Sequence, residues 1–158
     1  MRRSKISVIL AAVLAPWAAT GCGVFIKDNI TRDVERHVQE VDLRAVESRT
    51  LTHLSTLEQS VSDFYRAEKR VPEKLEELIP KYLSEIPQVE LGVKGHSTNN
   101  DVRLYPAEVI QDGAIDGVRI RDTGRWGYAV KGNRVIIFVD CVHRTSKGNP
   151  WYQERGVY

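Results

Sequence analysis

The densest run of reactive side chains in the sequence is Asp140-Cys141-Val142-His143. A thiol and an imidazole two residues apart allow two chemistries: a nucleophile with its base, or half of a metal site. Two ligands alone do not close a metal site, and on a strand residues i and i+2 share a face without having to touch. Strand parity groups Val135, Ile137, Val139 and Cys141 on one side, so Cys141 most simply behaves as a small core hydrophobe. The other histidines, His37, His53 and His96, are isolated in sequence; His37 and His53 lie beside helical apolar stripes and read as solvated or packed. No Gly-rich phosphate loop, paired-histidine helix motif or nucleophile elbow occurs. The sequence therefore predicts no catalytic residue, no cofactor, no metal and a non-enzymatic protein.

The same parity turns Ile136 and Phe138 to the opposite face. Further on, a tail rich in turn residues carries Trp151 and Tyr152, side chains common at protein interfaces. Ile136, Phe138, Trp151 and Tyr152 thus form a candidate partner surface. The competing reading has the tail covering Ile136 and Phe138, with the two tail aromatics capping the sheet edge.

These groups must be positioned by a helical half and a strand-rich half. Ile26, Ile30, Val34, Val38, Val41 and Ala45 recur at intervals of three or four, and Leu51, Leu54, Leu57, Val61 and Phe64 form a second such stripe. Ser48-Arg49-Thr50 interrupts the pattern and leaves open a kink or a new N-cap. The first half is expected to project as a stalk or to pack on a partner. A helix over 26–70 must stop before Pro72, since proline disfavours the α conformation in the residue before it. Residues 71–87 read as a loop with a short helix around Leu75-Glu76-Glu77-Leu78, punctuated by Pro80 and Pro87. From residue 88 the period falls to two. Val102 and Leu104, then Val118 and Ile120 between arginines, then Trp126, Tyr128 and Val130 alternate as half-buried strands do. Gly132-Asn133 fits a hairpin turn. The predicted fold is α+β: a long N-terminal helix on a small antiparallel sheet of three to four strands over 88–143, followed by a tail over 144–158.

A chain of 158 residues with 42% hydrophobic and 28% charged side chains suits one globular domain. Residues 1–21 have the parts of a secretory signal: Arg2, Arg3 and Lys5, an apolar run over 6–15 too short to span a bilayer, then small residues. Ala19-Thr20-Gly21-Cys22 resembles the lipobox of bacterial lipoproteins. The resemblance implies cleavage before Cys22 and its acylation, a palmitate-type membrane anchor on the mature chain 22–158. Gly23, where many such proteins retained at the inner membrane have Asp, tilts the expectation to the outer membrane, facing the periplasm or the cell surface. Removing the three leader cations from the 23 Lys+Arg leaves 20 against 21 Asp+Glu, a net charge of −1. No basic excess remains for a nucleic-acid partner. With Cys22 acylated, Cys141 has no disulfide mate.

Residues 57–87 resemble the soluble domain of type II secretion pseudopilins and type IV pilins. A helix ending in Phe64-Tyr65 leads to Pro72, then Leu75-Glu76-Glu77-Leu78, Tyr82-Leu83 and Pro87, in the order of that family. Phe64, Tyr65, Leu75, Leu78, Tyr82 and Leu83 are expected to form one core cluster. In place of the family's hydrophobic anchoring helix, the segment after Gly23 carries Lys27, Asp28, Arg32, Asp33, Glu35 and Arg36, too charged to cross a membrane. The tail has one acid, Glu154, where the pseudopilin calcium loop is acid-rich. The resemblance implies a pilin-like head on a lipid anchor, working as an interaction or assembly component of a secretion or pilus-type system with envelope protein partners. The alternative is a periplasmic module binding a small ligand or glycan through Trp126, Trp151 and Tyr152. The sequence names neither the partner nor the oligomeric state.

Overall fold

The computed structural model describes residues 22–156, with side chains from residue 30 onward. The leader expected at 1–21 lies outside the described residues, as does the side chain of Cys22. The chain divides into two compact units, Met1–Arg36 and His37–Tyr158. Helix α1 (Cys22–Glu68) supplies all the described part of the first unit and opens the second. Among the described residues no helix is long and apolar enough to cross a membrane.

In the first unit Ile30 and Val34 are exposed. In the second, Val38 and Val41 are also uncovered, whereas Leu51, Leu54, Leu57 and Phe64 are buried. The two stripes therefore have different fates: the second packs into the core, and the first is bare from Ile30 onward. α1 runs without a break through Ser48-Arg49-Thr50, with neither a kink-forming interruption nor a new cap. The polar residues there clasp other segments. Thr50 Oγ1 donates to the Glu90 carbonyl at 2.5 Å and accepts the Glu90 amide at 3.0 Å. Arg49 pairs with Glu90 at 2.7 Å, and Glu47 accepts the amide and hydroxyl of Ser146.

α1 stops at Glu68, ahead of Pro72, and a 3-10 turn, Leu75–Leu78, follows. Phe64, Leu75, Leu78 and Leu83 are buried in one cluster with Tyr82 against it, the Phe64 and Tyr82 rings meeting edge-on at 5.4 Å. Tyr65, expected in that cluster, is exposed. The proline loop is tied to the sheet through its carbonyls: Tyr128 Oη donates to Pro72 O at 2.6 Å and Trp126 Nε1 to Pro87 O at 2.7 Å. Buried aromatic polar atoms thereby find partners.

Strand β1 (Val102–Tyr105) leads through a hairpin of β2 (Ile110–Gln111) and β3 (Ala114–Ile115) to β4 (Trp126–Lys131) and β5 (Arg134–Val139). The main sheet has order β1-β4-β5, with β4 antiparallel to β5 through the Gly132-Asn133 turn. β1 lies parallel to β4, so the sheet is mixed and the expected all-antiparallel sheet is corrected. The separate β2–β3 hairpin closes on Asp112-Gly113, both at positive φ (49° and 81°) as a tight hairpin turn requires. The fold is α+β.

The expected strand around Val118 and Ile120 does not exist. Val118 is 93% exposed, and its amide is taken by the Asp116 carboxylate at 3.0 Å. The Arg119 amide bonds back to Asp116 O, and that of Arg121 goes to Tyr105 Oη and Asp140 Oδ1. Side-chain oxygens and the Asp116 carbonyl satisfy the amides that a ladder would have used.

The main sheet is covered on both faces. Trp126, Tyr128, Ile137, Val139 and Cys141 join the core beneath α1, while Ala129, Ile136 and Phe138 pack with Tyr105, Val109, Ile110 and Ile115 on the other side. Gly127 is required for that second layer, because the Phe138 ring occupies the space a Cβ would fill.

Candidate functional site

Asp140 follows β5 and is fully buried. Its carboxylate accepts the amides of Arg121 (3.0 Å), Asp122 (3.1 Å) and Thr123 (3.3 Å) and the Thr123 hydroxyl (2.5 Å). Successive amides converging on one acid form an anion-holding nest. The nest holds Asp122 at φ 55°, a conformation that Asp tolerates better than most residues. The turn is latched to the end of β5 by Gly124 N to Asp140 O and Asp140 N to Arg125 O, each 2.8 Å.

Asp122 consequently faces the chain just past β5. Its Oδ1 accepts the Val142 amide at 2.9 Å and stands 3.8 Å from His143 Nδ1. His143 Nδ1 is in turn 3.4 Å from Cys141 Sγ. The tail keeps this segment in position, with Trp151 N donating to His143 O and Tyr152 N to Cys141 O. His96 arrives from the loop ahead of β1. Its ring lies over Gly124, where an added Cβ would come within 2.7 Å of Cγ, and Gly124 (φ 69°) thus leaves room for it. His96 Nε2 is 3.3 Å from Asp122 Oδ1, and the two imidazoles meet edge-to-face at 5.2 Å.

One ligating atom from each of His96, Asp122, Cys141 and His143 lies within 4.8 Å of the other three. Burial pushes the Cys141 thiol up to about 12, with the Asp122 and Asp140 charges adding to it. A thiol held protonated is a poor nucleophile without a cation beside it. Burial opposes ionisation of Asp122, but the Val142 amide, the Cys141 thiol and the two histidines together outweigh it, and its carboxyl sits below the usual range. The pair Cys141 and His143, half a site in sequence, is completed by two residues that sequence reasoning passed over. His96 stands alone in sequence and gives no local signal. Asp122 sits in a stretch whose alternation reads as a strand.

The candidate partner surface fares differently. Ile136, Phe138 and Trp151 are buried and Tyr152 is half-buried against the second core layer, so the surface expected there is corrected: it is interior. The covering comes from Tyr105, the β2–β3 hairpin and the turn before it, with Tyr152 of the tail at the side. Trp126 and Trp151 have no exposed surface, which removes two of the three aromatics from any glycan-binding face. His53 Nδ1 contacts Gln88 O at 2.6 Å, a packing role. Comparison with family models, with curated proteins and with solved structures finds no match for this chain.

Proposed function

We propose that this chain is a non-enzymatic envelope lipoprotein, held to a membrane by acyl chains on Cys22, whose pilin-like head is an interaction or assembly component of a secretion or pilus-type system. The observation that carries the reading is the bare stripe on α1. Val38 and Val41 are 55% and 58% exposed, although the same helix buries Leu51, Leu54 and Leu57 completely or nearly so. Branched aliphatics at helical spacing cost hydrophobic free energy when left in water, and a partner helix or groove would recover it. The order Phe64-Tyr65, Pro72, Leu75 to Leu78, Tyr82-Leu83 and a helix packed on a small sheet support the likeness to a pilin head. Each CH₂ buried by an acyl chain adds about 0.8 kcal/mol to membrane attachment.

The test is photocrosslinking in cells from Val38 and Val41, compared with Cys22→Ser and with the double variant Val38→Lys/Val41→Lys. Adducts to envelope-complex subunits that require both Cys22 and the valines are the expected result. A chain that crosslinks to nothing, or mass spectrometry finding an unmodified thiol at Cys22, overturns the reading.

A further inference from the structure

The geometry points to a four-coordinate site for a zinc-class divalent cation, built by His96, Asp122, Cys141 and His143. The chemistry of the set is two imidazoles, one thiolate and one carboxylate. This mixture of nitrogen, sulfur and a single oxygen suits Zn²⁺, and it does not suit Ca²⁺ or Mg²⁺, which take oxygen ligands. A thiolate and a carboxylate also balance the two positive charges, so the filled site is neutral in a half-buried setting.

Three of the six ligand–ligand distances agree with this, and all six fall within 4.8 Å. Zinc–ligand bonds of about 2.0–2.3 Å at tetrahedral angles separate the ligand atoms by roughly 3.3–3.8 Å. His96 Nε2 to Asp122 Oδ1 is 3.3 Å, Cys141 Sγ to His143 Nδ1 is 3.4 Å, and His143 Nδ1 to Asp122 Oδ1 is 3.8 Å. An independent observation comes from His96. Its side chain is only 8% exposed and its Nε2 is buried without a hydrogen-bond partner. That atom is 3.3 Å from Asp122 Oδ1 without making a hydrogen bond to it, and a nitrogen of the same ring lies within 4.8 Å of the ligating atoms of the other three residues. A buried polar atom left unsatisfied is costly, and a metal in the centre satisfies it.

The surroundings also behave as a ligand shell should. Asp122 is oriented by the Val142 amide and by the Asp140 nest, and the His143 side chain is 45% exposed, which gives an entry path. With four protein ligands the site is closed, so the ion clamps structure and does no chemistry. It ties the loop before β1, the 121–124 turn and the segment after β5 at one point.

The test uses the untagged full chain, stripped with a chelator and titrated with Co²⁺ and then Zn²⁺. One equivalent of Co²⁺ should produce a thiolate-to-cobalt charge-transfer band with tetrahedral d–d intensity, and Zn²⁺ should abolish both. Cys141→Ser should remove the charge-transfer band. His143→Ala, at an exposed position, should keep the fold by circular dichroism and weaken Zn²⁺ binding at least tenfold. The band should survive Cys22→Ser. The proposal is overturned if the folded wild-type chain gives no band, if the band disappears with Cys22→Ser but not with Cys141→Ser, or if folded His143→Ala binds Zn²⁺ as wild type does.

Discussion

Replacing Asp140 by alanine should destabilise the second unit by about 3–4 kcal/mol. The carboxylate takes three amides and a hydroxyl, and all four lose this acceptor together. Hydrogen bonds to a charged group contribute about 1.5–3 kcal/mol each when measured singly, and a buried donor left unmade costs about 1–3 kcal/mol. Summing four such terms would overshoot, for two reasons visible in the structure. Asp122 and Thr123 are only half-buried and Arg121 is exposed, so the freed amides can reach water. Arg121 N also retains Tyr105 Oη at 3.0 Å. Asp140→Asn keeps an acceptor for the Arg121 and Asp122 amides but turns an NH₂ towards the Thr123 amide, so it should fall between wild type and alanine, at about 2 kcal/mol. The assay is urea unfolding at neutral pH, followed by tryptophan fluorescence because Trp126 and Trp151 are both buried. Midpoints should shift with the slope unchanged. An alanine variant within 1 kcal/mol of wild type, or an asparagine variant as damaged as alanine, would refute the view that this carboxylate organises the turn.

Three further outcomes follow from other parts of the same unit. Leu54→Ala removes a side chain with no exposed surface from beneath the sheet and should cost about 2–5 kcal/mol in the same denaturation assay. Thr50→Val keeps the shape but strands both the amide and the carbonyl of Glu90, so a loss of about 1–3 kcal/mol with native circular dichroism is expected. Burial resists ionisation of Glu77, yet Arg70 and the Glu73 and Lys74 amides outweigh it and lower its pKa. Its contribution is therefore fully present above the ordinary glutamate range and lost as pH falls through its lower folded value. Glu77→Gln should be less stable than wild type at neutral pH, with the difference closing in acid; a difference independent of pH would contradict the assignment.

Much of the sheet was legible because parity is a robust signal. Val135, Ile137, Val139 and Cys141 do share one face, and Ile136 and Phe138 the other, since side chains on a strand alternate whatever packs on them. Parity could not say that both faces are covered, which is why Ile136 and Phe138 looked like candidates for a partner surface. The helix was legible over its length, but not why Ser48-Arg49-Thr50 is polar: Thr50 and Arg49 serve Glu90, 40 and 41 positions away. The parallel pairing of β1 with β4 depends on a long return path that leaves no local pattern. The site was half legible, since Cys141 and His143 adjoin in sequence whereas His96 and Asp122 reach them only through the fold.

The misread strand and the missed site have one physical origin. Val118, Ile120 and their flanking arginines have the alternation of a strand, but a strand also needs its amides free for a neighbour. Here Asp116 captures the amide of Val118, and Asp140 captures those of Arg121, Asp122 and Thr123. Once those amides are spent on carboxylates, the segment cannot add a strand to the sheet and must turn. That turn carries Asp122 at positive φ over to the end of β5, where its oxygen meets His96 and His143 beside Cys141. Local acid-to-amide competition thus removes a strand and supplies the fourth ligand in one step. Accordingly, Asp140→Ala should weaken Co²⁺ or Zn²⁺ binding although Asp140 is not itself a ligand. Unchanged affinity in that variant would mean that Asp122 finds its place by some other means.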